Sequence, residues 1–201
     1  MIAIVDYGMG NLGSIRNMLR RVGARTVVTG DPDEIAVASK VLLPGVGRFD
    51  AAMREISARG LREVLDHVAL EQRLPTLGIC LGMQLITRGS EEGDAAGLGW
   101  VDAFTYRFPE SDRLKIPHMG WNAVRSLRES ALSANLPADA RFYFVHSYYV
   151  TTDRPDETVL TAEYGVKFTA ALEAGNIYGA QFHPEKSHRF GMQVLANFVS
   201  L

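Results

Sequence analysis

Cys80 is the only cysteine in 201 residues, and it sits in the stretch Pro75-Thr76-Leu77-Gly78-Ile79-Cys80-Leu81-Gly82-Met83-Gln84. An apolar run ends at Cys80 and a helix-like pattern of Leu81, Gln84 and Leu85 begins directly after it, which predicts a sharp strand-to-helix turn. Such a turn strains its central residue and packs strand against helix at close range. Its neighbours two positions away must therefore be small, and they are Gly78 and Gly82. A sulfur at a helix N-terminus is favoured as thiolate by unpaired N–H groups and by the helix dipole. The N–H of Leu81 would then point toward an oxyanion formed on a substrate. The same ten residues also read as a buried structural cysteine between packing glycines, and taken alone they do not choose.

A thiolate that attacks a carbonyl needs a base to move protons, and the base needs a group to hold its tautomer. Of the five histidines, His67 falls mid-helix among charges and reads as a surface residue. His118 and His188 fall in loops without an orienting acid. His146 lies in the aromatic strand Phe142-Tyr143-Phe144-Val145-His146 and reads equally as a core histidine. His183 ends the strand Ile177 to Phe182, at the same predicted sheet edge as Cys80, and Glu185 follows two residues later. Extended residues two apart point the same way, and Pro184 is expected to fix that extension. Glu185 could thus accept from one ring nitrogen of His183 while the other faces Cys80. An isolated His-Pro-Glu at a strand end could equally be a histidine beside a solvated glutamate.

The elements that must position these groups follow a repeating order. Ile2 to Asp6 reads as a buried strand, and Gly8-Met9-Gly10-Asn11-Leu12-Gly13 leads into a helix with Leu12, Ile15, Leu19 and Val22 at helical spacing. This is a literal G-x-G-x-x-G. With strand Thr26 to Val28 and Asp31 beyond it, it permits a dinucleotide-binding reading, although the second half lacks the repeat of the mononucleotide unit. Asp31-Pro32 reads as the N-cap and first residue of a helix. Strand Val41 to Leu43 ends in Pro44-Gly45-Val46-Gly47. That loop is either a plain tight turn or a source of a second oxyanion donor at the sheet edge where open α/β folds keep ligands. Helical patterns cover Phe49 to Ser57 and Leu61 to Leu74. Beyond about residue 98 the texture becomes strand-rich: Val101 to Phe108, Arg141 to Val150, Glu157 to Glu163, Thr169 to Leu172 and Ile177 to Phe182. A hairpin is expected at Glu173 to Asn176, and a closing helix at Gly191 to Phe198 with Met192, Leu195 and Val199 inward. The expected fold is α/β: three layers, a largely parallel central sheet with helices on both faces, and antiparallel or mixed strands added in the C-terminal half.

No linker or charge block divides the chain, so residues 1–201 are expected to form one domain. Composition is ordinary for a globular protein, with 47% hydrophobic and 22% charged residues. A net charge of −2 gives no reason to expect nucleic acid or an anionic membrane. The start, Met1-Ile2-Ala3-Ile4-Val5-Asp6, does not read as a signal peptide, and no apolar run approaches a membrane span. A lone cysteine permits a reducing, cytoplasmic setting.

Together the G-I-C-L-G-M-Q elbow, the P-G-V-G loop and the Q-F-H-P-E-K segment resemble the triad (class I) glutamine amidotransferase family, in order and spacing. D-Y-G-M-G-N (6 to 11), P-G-V-G-R-F (44 to 49), S-E-E-G (90 to 93), H-M-G-W-N (118 to 122) and F-V-H-S-Y-Y (144 to 149) narrow the resemblance to the branch serving imidazole glycerol phosphate synthases in histidine biosynthesis. It runs nearly end to end without a departure at a motif position. The resemblance implies that the G-x-G-x-x-G is a loop near the active site or partner interface. It implies Cys80 as nucleophile toward the side-chain amide of L-glutamine, His183 as proton shuttle and Glu185 as its orienting acid. Val46 and Leu81 backbone N–H groups would form the oxyanion hole. Gln84, Glu92, Ser147 and Tyr148 would line the glutamine pocket, with Gly47 as its wall, Glu92 facing the substrate ammonium. It calls for no metal and no organic cofactor. It implies delivery of ammonia to a (β/α)8-barrel cyclase, expected as a separate polypeptide, with Asn11, Trp121 and Lys186 at the interface. A glutaminase for another synthase, such as the pyridoxal phosphate-forming one, and a non-catalytic dinucleotide-binding module are the alternatives.

Overall fold

The computed structural model describes residues 1–110, 112 and 114–201. In its first half, strands β1 (Ile2–Val5), β2 (Thr26–Thr29), β3 (Lys40–Gly45) and β4 (Thr76–Cys80) alternate with helices α1 (Leu12–Arg21), α2 (Pro32–Ala36), α3 (Phe49–Ala58) and α4 (Leu61–Asp66). Helix α5 (Leu81–Leu85) follows β4 without a break. The second half supplies β5 (Ala103–Arg107), β6 (His118–Ala123), β7 (Arg125–Ser126), β8 (Arg141–His146), β9 (Tyr148–Thr152), β10 (Thr158–Tyr164), β11 (Val166–Ala174) and β12 (Ile177–Ala180), and then α6 (His188–Ser200).

The main sheet runs β2-β1-β3-β4-β12-β11-β10-β7. Its first five strands are mutually parallel, and β11, β10 and β7 are added antiparallel. β9 joins β11 at Val150 and carries β5 on its other side. The inner parallel strands β1, β3, β4 and β12 are largely apolar and buried because both faces are covered, whereas β2, at the sheet edge, is mostly half-buried. Along β1, Ile2 and Ile4 enter one core while Ala3 and Val5 enter the other, which is the period-two alternation of a strand.

Register decides where the chemistry gathers. Gly45 pairs with Cys80 across β3 and β4, and Ala180 pairs with Ile79 across β12 and β4. The chain leaving β3, β4 and β12 therefore emerges at one carboxyl edge, where open α/β sheets bind ligands.

The expected elements shift in four places. The helix starting at Leu61 ends at Asp66 and widens into a π-helical turn, His67–Glu71. It does not reach Leu74, because Pro75 disfavours helix at the residue before it. The single strand expected over Arg141 to Val150 is broken at Ser147 into β8 and β9, which serve different sheets. His118 is not in a loop: β6 pairs antiparallel with β8, setting His118 opposite His146. The final helix begins at His188, and its inward apolar side chains are Phe190, Val194, Leu195 and Phe198, with Met192 and Val199 only partly buried.

Candidate active site

Cys80 adopts φ 53°, ψ −108°, a conformation that L side chains rarely take. It is held there by packing that leaves no room for side chains on either side. A Cβ on Gly78 would come within 2.6 Å of the Gly82 carbonyl oxygen, and a Cβ on Gly82 would overlap the Leu43 carbonyl oxygen of β3. The strain is thus imposed by the closeness of β3, β4 and α5. Its effect is to lift the cysteine side chain off the sheet edge into a cavity.

That cavity has a volume of about 330 Å³ and is lined by Val46, Gly47, Cys80, Leu81, Gln84, Glu92, Ser147, Tyr148 and His183, together with Pro117, Val145 and His146. Nine of the ten residues anticipated for catalysis, oxyanion stabilisation and substrate binding line it. The tenth, Glu185, stands behind His183, its Oε1 2.8 Å from His183 Nδ1. The contact is made differently from the expectation: Pro184–Lys186 form a turn of 3-10 helix instead of continuing extended. The turn still returns the carboxylate to the ring. Both side chains are buried. His183 Nε2, also buried, has no hydrogen-bond partner of ordinary geometry and lies on the cavity side with the Cys80 thiol. Burial by itself would push the His183 pKa down. The closeness of Cys80 and the hydrogen bond and charge of Glu185 outweigh that and hold it above its ordinary value.

The cavity wall is tied together by polar contacts. Glu92 Oε2 accepts from the Phe49 N–H at 2.8 Å, capping α3, whose own N-cap Arg48 makes no side-chain cap bond. It thereby fastens the Ser90 to Gly93 segment to the loop carrying Val46 and Gly47. Gln84 Nε2 donates to the Tyr148 carbonyl at 3.1 Å and to Gln181 Oε1 at 3.2 Å. Tyr7 Oη donates to the Pro44 carbonyl at 2.6 Å, fixing the start of the same loop.

His146 lines the cavity and is also a satisfied core histidine. Its Nδ1 bonds the Tyr148 carbonyl at 2.7 Å and its Nε2 meets His118 Nδ1 at 3.0 Å. Burial pushes His146 down to about 3 and His118 to about 4, so both rings are neutral near pH 7. His67 is a surface residue as expected, bonded to Glu71 and Gln72. His188 opens α6 at φ 46° and stacks on Trp121 at 5.5 Å.

The three residues anticipated at a partner interface lie outside the cavity. Trp121 is 45% exposed and meets the Tyr143 ring edge-on, and the Lys186 ammonium lies 5.7 Å from the same ring. Asn11 caps α1 by accepting from the Ser14 N–H, and α1 packs against the turn holding Lys186. The glycine-rich loop abuts the Pro44 to Gly47 loop: a Cβ on Gly47 would meet Met9 Cε at 2.6 Å. Gly13 has open space where its Cβ would be, whereas the third glycine of a dinucleotide fingerprint is needed for close packing. Asp31 is occupied as the N-cap of α2.

Gln181, Pro117 and Val145 escaped the residue-level reading. Gln181 carried a signal, since it lies two positions before His183 in the strand expected over Ile177 to Phe182, although β12 itself ends at Ala180 and both residues follow it. Pro117 and Val145 reach the cavity only through the β6–β8 pairing, which no local pattern announces. Among the described residues, no group of three or more His, Cys, Asp or Glu side chains could hold a metal ion, and no helix is long and apolar enough to cross a membrane.

The family described as Glutamine amidotransferase class-I matches residues 3–201. Imidazole glycerol phosphate synthase subunit HisH 2 of Methanococcus maripaludis is 50% identical over 199 residues, covering 99% of this chain and 98% of the relative. The protein of the same description from Pseudomonas aeruginosa is 48% identical over 201 residues, covering 100% of each. Among solved structures, PurLQS from Thermotoga maritima superposes with a TM-score of 0.74 at 18% identity, over 99% of this chain and 97% of that one. That likeness speaks to the fold alone. By the match over nearly all of its length, this chain belongs to the class-I glutamine amidotransferase family.

Proposed function

We propose that this chain is the glutaminase subunit of an imidazole glycerol phosphate synthase, hydrolysing L-glutamine and passing the ammonia to a separate cyclase subunit in histidine biosynthesis. The observation that carries the chemistry is the convergence, in one cavity, of a strained elbow cysteine with a buried His183–Glu185 pair 2.8 Å apart. The full-length identity to HisH subunits carries the pathway.

In this reading Cys80 Sγ gives its proton to His183 Nε2 and attacks the amide carbon, and the carbonyl oxygen becomes an oxyanion facing the Val46 and Leu81 N–H groups. His183 returns the proton to the departing nitrogen, the C–N bond breaks, and ammonia leaves a glutamyl thioester. Water, deprotonated by His183, then attacks the thioester carbon. Glutamate is released and the thiol restored. Glu185 holds the His183 tautomer throughout. Glu92, Gln84, Ser147, Tyr148 and Gly47 shape the glutamine pocket, the Glu92 oxygen not bound to Phe49 being available to the substrate ammonium.

The cyclase is read as a (β/α)8 barrel that docks over the mouth of the cavity, near Asn11, Trp121 and Lys186, in the cytoplasm. The test is glutamate production from glutamine by the purified chain, alone and with a barrel cyclase and its ribonucleotide ligand. Strong stimulation by the pair is the expected result, with weak activity alone. Glutamate production that the cyclase does not stimulate would keep the hydrolysis and remove the synthase assignment. A pyridoxal phosphate synthase partner that stimulates instead would do the same.

A further inference from the structure

Gln181 follows β12 and is wholly buried. Its side-chain Nε2 lies 3.9 Å from Cys80 Sγ, within hydrogen-bonding range for sulfur. Its orientation is not free. Gln181 Oε1 accepts from Gln84 Nε2, whose other contact is the Tyr148 carbonyl. Both groups facing the Gln84 nitrogen are acceptors, so turning that amide over would set oxygen against oxygen twice. The Tyr148 carbonyl is itself locked: its other partner is His146 Nδ1, which must carry the proton because a carbonyl only accepts. His146 Nε2 therefore accepts from His118 Nδ1, and His118 Nε2 accepts from Asn122 Nδ2 at 3.3 Å. Every donor from Asn122 to Gln84 is matched to an acceptor, and the chain ends with the Gln181 N–H turned to the sulfur.

Resting on the glutaminase reading above, we propose that Gln181 is a positioning residue for the attack, its amide donating to the Cys80 sulfur and stabilising the thiolate that forms the bond to carbon. The need for such a donor follows from what else surrounds the sulfur. The thiol donates to the Val145 carbonyl at 3.9 Å. Once its proton has passed to His183, the electron pair left on sulfur faces that same carbonyl, which cannot donate in return. The imidazolium of His183 is then the charged donor on one side of the sulfur, and a buried anion is stabilised by each further donor it gains. The titratable groups around the sulfur are Tyr7, His183 with Glu185 behind it, and His146, Tyr148 and Glu92 in the lining of the same cavity. The neutral amide adds a donor there whose charge does not change with pH and which does not compete for the shuttled proton. The network through Gln84 holds the Gln181 oxygen away from the sulfur, so the nitrogen is already aimed at it before the thiolate forms.

The test compares wild type with Gln181→Met, which keeps the length without a donor, and Gln181→Glu, which puts an oxygen where the nitrogen was. Two quantities are read: the pH dependence of Cys80 alkylation by iodoacetamide, and kcat and KM for glutamine with the cyclase present. Losing a hydrogen bond to a charged group should move the alkylation profile upward by about one pH unit and lower kcat about tenfold. KM should stay within about twofold, with Gln181→Glu shifted further than Gln181→Met. Variants that fold and match wild type in both profiles overturn the proposal. If a variant fails to fold, the wild type supplies the answer. With glutamine nitrogens labelled by ¹⁵N, the Gln181 amide resonance, identified by its proximity to Cys80, should move with the midpoint of Cys80 alkylation, and an unmoved resonance overturns the proposal. Failure of wild type itself to alkylate or turn over glutamine would instead defeat the glutaminase reading.

Discussion

Glu185 reaches the ring of His183 across a single intervening residue, its Oε1 2.8 Å from Nδ1, with the two side chains only 2% and 3% exposed. A pair so close in sequence is held by the local turn Pro184–Lys186, and so survives small movements of the sheet edge. Its burial makes the interaction strong, because little water screens it. The pair directs the remaining nitrogen of His183 at the cavity and thereby turns an elbow cysteine into a candidate nucleophile.

Removing that acceptor while keeping its shape should leave an impaired enzyme. Glu185→Gln is expected to lower kcat for glutamine by about 10²–10⁴-fold, the usual share of positioned acid–base catalysis. Because Glu185 helps raise the His183 pKa, the pH profile of the variant should move to lower pH. Cys80→Ala should give no turnover, and retained glutamine hydrolysis in that variant would rule out the thioester route. Glutamate release at several pH values, with the cyclase present, reads both effects.

The positive φ of Cys80 makes a stability prediction that separates fold from function. A non-glycine residue held in such a region costs about 1–3 kcal/mol. Glycine relieves that strain, at an entropic cost of about 0.5–1 kcal/mol relative to alanine. Cys80→Gly should therefore unfold at or above the temperature of Cys80→Ala, with no glutamine turnover expected from either. Thermal melts of the two variants decide it, and a clearly less stable glycine variant would mean that the elbow is not strained.

Glycines in the two motifs should respond in opposite ways. Gly82→Ala places a methyl group against the Leu43 carbonyl, and overpacking of this kind costs about 1–3 kcal/mol. It should also displace Cys80 and abolish turnover. Gly13→Ala sits in α1 with open space around it, so it should stabilise the protein by about 0.4–1 kcal/mol. Denaturant titrations of both variants check the pair. Destabilisation by Gly13→Ala would revive the close packing that a dinucleotide fingerprint requires.

The buried histidine pair sets an acid limit on stability. His118 and His146 are lowered to about 4 and about 3 in the folded protein, against about 6.5 when unfolded. Between those values the unfolded chain binds more protons, so stability is full above about pH 6.5 and is lost as pH falls toward 4 and then 3. Each unit of difference is worth about 1.4 kcal/mol, so the loss should reach a few kcal/mol by pH 4. In His118→Gln, which stays neutral and can still donate to His146, the slope should be visibly shallower. Denaturation midpoints between pH 7 and pH 4 measure it.

Local sequence determined the parts of this protein that depend on neighbours in the chain. The glycines at 78 and 82 dictate an elbow because strand and helix must approach within contact wherever the chain turns so sharply. The His183-Pro184-Glu185 spacing allows the hydrogen-bonded pair whether the backbone runs extended or, as it does, in a 3-10 turn. The strand-helix alternation of the first half carries its own apolar periodicity, so the parallel sheet was legible. Tertiary structure decided the rest. β6 contains Gly120 and Asn122, poor strand formers, and exists because β8 offers it a ladder; that pairing turns His118 from a loop residue into half of a buried pair. The break at Ser147 is set by two sheets competing for one segment, and it makes the cavity wall. Gln181 meets Cys80 across 101 positions of sequence because β12 lies beside β4. Strand order is fixed by long-range packing, which no window of neighbouring residues contains.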